Sequence, residues 1–94
     1  MEKVEIEVYA QDSNIAVVRM PGRRFPGIVV QGDSLSILYG LATSILNHAS
    51  VTDNLELVDE ARELRELLEN RLKFYETILQ KHSINLPYAP VEWE

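Results

Sequence analysis

Val4, Ile6 and Val8 alternate with Lys3, Glu5, Glu7 and Tyr9, the two-residue period of a strand with one buried face. Ala10-Gln11-Asp12-Ser13-Asn14 reads as a turn, and Ile15-Ala16-Val17-Val18-Arg19-Met20 as the returning strand of a hairpin. Pro21-Gly22 ends that strand, and beyond Phe25-Pro26-Gly27 the apolar run Ile28-Val29-Val30-Gln31 predicts a third. At Gly32 the period changes. Leu35, Leu38, Leu41, Ala42, Ile45, Leu46 and Ala49 recur at steps of three and four, which predicts a helix over about residues 34–48 with its apolar face on the sheet. Asp33 or Ser34 supplies its N-cap. Gly40 weakens this helix by roughly 1 kcal/mol relative to alanine, which points to close packing there.

Ser50-Val51-Thr52-Asp53 restarts the chain, and Thr52 or Asp53 caps a second helix over about residues 53–82. Leu57, Val58, Ala61, Leu64, Leu68, Leu72, Tyr75 and Leu79 form its stripe, and Leu67, Phe74 and Ile78 widen it. Glu69 with Lys73, Arg62 with Glu66 and Arg65 with Glu69 have ion-pair spacing. Lys81 and His82 suit the carbonyl end, Ile84-Asn85-Leu86-Pro87 stops the helix, and residues 83–94 form a tail in which Trp93 is free to dock. The expected fold is α+β: a three-stranded, mainly antiparallel sheet over about residues 2–31, then an antiparallel pair of helices, the second long, within one domain spanning residues 1–94. At 1.5 Å per residue the second helix runs roughly 45 Å, against a diameter of roughly 32 Å for a compact domain of this size. The side chains on its far half need cover, and the economical cover is another copy of the chain. A homo-oligomer through the long helix is therefore expected.

The net charge of −6 argues against a nucleic-acid polymer as partner, because neutralising many phosphates takes a basic surface. Its distribution is more informative. Between Ser13 and Gly32 the only charges are Arg19, Arg23 and Arg24, and from Phe25 to Ala61 there is no lysine or arginine. A small positive region in an acidic chain attracts one small anion. The absence of cysteine excludes a disulfide framework and thiolate chemistry and fits a cytoplasmic location. The alternating N-terminal segment has no continuous apolar run, so neither signal peptide nor membrane span is expected.

Gly32-Asp33-Ser34-Leu35 matches the four-residue signature around the nucleophilic serine of a large esterase family, and it follows an apolar strand as it does there. A serine nucleophile needs an oriented base and oxyanion donors. In those esterases an Asp-x-x-His element provides base and orienter; here His48 is preceded by Ile45-Leu46-Asn47 and His82 by Leu79-Gln80-Lys81, so neither forms it. Both histidines lie near helix ends, where capping a carbonyl is the commoner role. No helical pair of metal ligands is present, and Glu56, Asp59, Glu60, Glu63 and Glu66 read as a solvated face. No enzyme activity, metal or cofactor is expected.

A helix start offers unpaired N–H groups with partial positive charge, and arginine grips phosphate oxygens in a planar fork. Arg23 and Arg24, the Gln31-Gly32-Asp33-Ser34 turn, and Phe25 or Tyr39 as stacking rings are therefore the candidate ligand site. The same residues also have a purely structural reading. Asp33 as a cap opposes an anion, the glycines serve turns, Phe25 joins the core, and either arginine pairs with Glu5 or Glu7.

Arg23-Arg24-Phe25-Pro26-Gly27, the triplet Ile28-Val29-Val30, Gln31-Gly32-Asp33-Ser34-Leu35 and Leu86-Pro87-Tyr88 resemble the signature of a family of short, uncharacterised bacterial and phage proteins. That resemblance spans nearly the whole chain and brings no established activity. In size, acidity and expected assembly the chain is also similar, as a class, to phage sponge proteins that sequester nucleotide immune signals. The expected function is a non-catalytic, oligomeric protein that binds or sequesters a small phosphorylated, nucleotide-derived ligand, as an anti-defence sponge would. The alternative is an immunity or inhibitor module whose acidic long helix masks a basic protein.

Overall fold

The computed structural model describes residues 1–12 and 15–93. Strands β1 (Glu7–Asp12), β2 (Ile15–Arg19) and β3 (Gly27–Val30) are followed by helices α1 (Gly32–Ala49) and α2 (Leu55–Lys81), the α+β order that the periodicities predict. The chain divides into two compact units, Met1–Gln31 and Gly32–Glu94.

The first unit is an antiparallel sheet in the order β1-β2-β3. β1 starts at Glu7 instead of near residue 2, because its partner β2 extends only to Arg19, the residue opposite Glu7. Beyond Arg19 the chain turns away through Met20-Pro21-Gly22-Arg23, closed by the Arg23 N–H donating to the Met20 carbonyl at 3.1 Å. Proline in the first central position and Gly22 at φ 78° in the second are the requirements of a type II turn. At the other end Asp12 faces Ile15; Ser13 and Asn14 of the expected turn lie outside the described residues. The register shifts between Val8 and Ala10, leaving Tyr9 as the extra residue of a bulge. Within this unit Val18 is buried, while the apolar side chains of β3 are exposed.

The second unit is a helical hairpin with Leu35, Tyr39 and Leu72 at its centre, Leu72 at 0% exposure. Of the α1 stripe, Leu35, Ala42 and Ala49 are buried while Leu38, Leu41 and Ile45 are exposed; Gly32 lies against Tyr75, and Arg65 reaches Tyr39 and Thr43, so the two helices run antiparallel. The wide stripe of α2 separates into two rows. Ala61, Leu68, Leu72 and Tyr75 turn toward the hairpin interior, whereas Leu57, Leu64, Leu67, Phe74 and Ile78 stay exposed.

α1 opens at Gly32, earlier than expected, so Asp33 sits in the first turn and not at the cap. Asn54, not Thr52 or Asp53, caps α2, its side-chain oxygen accepting from the Leu57 N–H at 3.0 Å. Thr52 is used in the connection, donating to the Ala49 carbonyl at 2.7 Å and accepting from the Asn54 N–H at 3.3 Å. Lys73 and Arg65 both approach Glu69, at 3.6 and 4.0 Å, while Arg62 pairs with Asp59 at 3.3 Å instead of Glu66. α2 ends with the Ser83 N–H on the Gln80 carbonyl and the Ile84 N–H on the Leu79 carbonyl. This is the Schellman pattern, with Ser83 at φ 57° where glycine is usual.

The segment after α2 folds back onto the hairpin. The Tyr88 hydroxyl donates to Glu76 Oε2 at 2.6 Å and the Trp93 indole N–H to Glu76 Oε1 at 2.9 Å, so a single carboxylate holds both ends of this strap. The Trp93 ring meets Tyr39 edge-on at 5.1 Å and lies under the Lys73 ammonium at 5.1 Å.

Candidate functional site

The type II turn sets Arg23 at its close and hands the chain to Arg24 and Phe25 before β3 begins. Arg24 stands over the Phe25 ring with its guanidinium 5.3 Å from the centroid, and the ring itself is 72% exposed. A hollow of about 360 Å³ beside this connection is floored by Val18, Met20, Ile28 and Val29, with Arg23 and Phe25 also lining it. Among the described residues no carboxylate lines it, in a chain with fifteen acidic residues. A second hollow, of about 350 Å³, also includes Arg23 but carries Glu5 and Glu7.

The arginines differ in what occupies them. Arg19 pairs with Glu7 across the β1–β2 ladder, and the Tyr9 hydroxyl donates to the same carboxylate at 2.9 Å. The Arg19 guanidinium, helped by Tyr9, holds the Glu7 carboxyl below the usual carboxylate range. Thus Glu7 is taken by Arg19, not by Arg23 or Arg24. Arg62 and Arg65 meet carboxylates, and Arg71 donates to the Leu67 carbonyl at 2.9 Å. Among the described residues, neither Arg23 nor Arg24 has a carboxylate or carbonyl partner for its guanidinium.

The other candidate residues belong to different surroundings. Gln31 is exposed in the last position before α1. Gly32 is buried because the Tyr75 ring lies against its backbone; a methyl group there would overlap the ring. The close approach that glycine permits is thus made by a side chain of α2. Asp33 brings its own negative charge to the helix opening, its carboxylate accepting from the Ser34 N–H at 2.8 Å. Tyr39 is buried, packed on Trp93, with Arg65 donating to its hydroxyl at 3.0 Å and standing 5.5 Å over its ring. The structure therefore groups Arg23, Arg24 and Phe25, and it uses Gly32 and Tyr39 inside the helical hairpin.

His48 Nδ1 lies 2.8 Å from the Ser44 carbonyl, which places the proton on Nδ1 and makes this histidine a carbonyl cap on its own helix. It stands roughly 20 Å along the helix axis from Ser34. His82 is the C-cap of α2, its backbone N–H donating to the Ile78 and Leu79 carbonyls at 3.2 Å. Among the described residues no cluster of three acidic or histidine side chains is arranged to hold a metal, and no helix is long and apolar enough to cross a membrane. Two features escape the sequence reading. Glu76 looks like one more surface carboxylate, and the hollow forms only when β3 pairs back on β2, which brings Val18 and Met20 beside Ile28 and Val29. The signal available for the strap is the lone Trp93 together with Tyr88 in a short, proline-containing stretch.

Residues 1–88 match the model of a family of unknown function, DUF6959, in keeping with the uncharacterised family that the sequence resembles. The match stops at Tyr88, so Val91 and Trp93 of the strap lie beyond it. No curated protein and no solved structure matches the chain.

Proposed function

The chain belongs to DUF6959, a family of unknown function, and we propose that it is a non-catalytic, self-associating binder of a small phosphorylated ligand. One observation carries this reading: a hollow free of carboxylates, lined by Arg23 and Phe25 and flanked by Arg24, on an acidic chain. Two guanidiniums without acceptors among the described residues suit phosphate oxygens, and an exposed ring beside an apolar floor suits a base or another flat group, which favours a nucleotide-derived ligand. Sequestration, as in a sponge, needs such contacts and no reacting group. In support, Ser34 lacks a histidine partner among the described residues, and His48 is engaged at the far end of α1.

Isothermal titration against a panel of cyclic dinucleotides, ADP-ribose derivatives and inorganic phosphate tests the proposal. At least one phosphorylated member is expected to bind, with affinity falling about tenfold or more in Arg23→Ala/Arg24→Ala. Silence across the panel, or binding indifferent to both substitutions, removes it.

A protein-masking role has its own observation: Glu56, Asp59, Glu60, Glu63 and Glu66 are all exposed on the first half of α2. In that reading association with a basic protein weakens steeply with added salt and is lost on Glu63→Lys/Glu66→Lys.

A further inference from the structure

The exposed row of α2 has a seven-residue repeat. Leu57, Glu60, Leu64, Leu67, Arg71, Phe74 and Ile78 follow one another at alternating steps of three and four, the spacing of a coiled-coil seam. All seven are exposed, in a row beside the one that packs on α1. A surface helix needs one apolar stripe, and α2 already has its own in Ala61, Leu68 and Leu72. The second stripe, with Phe74 at 69% exposure, is therefore left uncovered by the helical hairpin.

The two charges within the seam identify what covers it. Glu60 and Arg71 lie at equal distances on either side of the Leu64–Leu67 pair, so the pattern is its own complement under a two-fold rotation. The geometry points to α2 of a second copy, packed antiparallel, as the occupant of this face. With the axis between Arg65 and Glu66, Leu57 meets Phe74 of the second copy, Glu60 meets Arg71, and Leu64 meets Leu67. Each pairing occurs twice, over roughly 25 Å of helix. Among the described residues neither seam charge has a competing ion pair: Arg71 donates to the Leu67 carbonyl, and Glu60 makes none. Beside the seam, Glu56 and Glu63 come opposite Thr77 and Asn70, so no like charges are forced together there. A parallel pair sets Glu60 against Glu60 and Arg71 against Arg71, and this repulsion selects the antiparallel orientation.

This interface rests on the self-association part of the proposed function and is independent of the ligand. Two experiments on the full chain test it. In the first, light scattering follows the dimer across a dilution series for Glu60→Arg, Arg71→Glu and the double variant. Each single change places like charges together and is expected to raise the dissociation constant about tenfold or more, while Glu60→Arg/Arg71→Glu restores the original value. A parallel seam already sets like charge against like at both positions, so single changes that leave the dissociation constant at the parent value overturn the proposed orientation. In the second, Leu57→Cys and Phe74→Cys chains are mixed and oxidised; the chain has no cysteine of its own. A mixed disulfide is expected, with neither variant linking to itself. An oligomer that persists without this cross-link and ignores the charge swaps overturns the interface but leaves self-association standing. A wild-type chain that stays monomeric at about a hundredfold above the micromolar range typical of weak pairs overturns both.

Discussion

Two glycines of α1 show how much a single hydrogen can decide. At Gly32 the Tyr75 ring occupies the place of a side chain, whereas at Gly40 a methyl group would meet nothing within 4 Å. Gly32→Ala is expected to destabilise by about 1–3 kcal/mol through overpacking. Gly40→Ala is expected to stabilise by about 1 kcal/mol through helix propensity. Urea denaturation of the two variants beside the parent measures both, and a shared sign contradicts the packing described. The sequence suggested the reverse assignment, with Gly40 tightly packed and Gly32 open to a ligand. What fills the space beside a helical glycine is set by the partner helix and its register, and the local sequence contains neither. Ser83 is the third instructive position. A serine at φ 57° lacks glycine's freedom in the left-handed region, so Ser83→Gly should gain about 0.5–1 kcal/mol in the same assay.

At the level of elements, the order and type of all five were legible because each buries or exposes residues with a characteristic period. Boundaries were less so: β1 begins where β2 ceases to offer a partner, and the α2 cap falls to Asn54 because Thr52 is drawn back to Ala49. The candidate site was legible in its arginines and Phe25, whereas Tyr39 was not recognisable as a core residue, since an aromatic on a helix stripe has the same spacing in either role. The strap depends on long-range pairing with Glu76 and left no periodic trace. Glu76→Ala removes the acceptor for both Tyr88 and Trp93 and should cost about 1–3 kcal/mol. Burial, reinforced by the Glu76 carboxylate, pushes the Tyr88 phenol well above the ordinary tyrosine range. Because its folded pKa is raised, the stabilisation linked to Tyr88 is complete below about pH 10 and is lost as the pH climbs above that through the folded value. An ultraviolet absorbance titration should show a late-ionising phenol that disappears in Tyr88→Phe.

For the whole molecule, self-association changes what stability means. If two chains share α2, unfolding is coupled to dissociation, and the melting temperature should rise with protein concentration across a hundredfold range. Glu60→Arg should flatten that dependence while leaving the melting temperature of dilute protein nearly unchanged, since the substituted side chain is exposed. The charge of the chain fits both roles proposed for it: carboxylates concentrate on the first half of α2, whereas the stretch between Ser13 and Gly32, which carries Arg23 and Arg24, has none. The chain's one tryptophan is also the residue wedged between Tyr39 and Lys73 and tethered to Glu76. Its emission is therefore a built-in optical gauge of the last stretch of backbone. A red shift that precedes loss of helical circular dichroism as urea is added would time the peeling of that stretch apart from the melting of the hairpin beneath it.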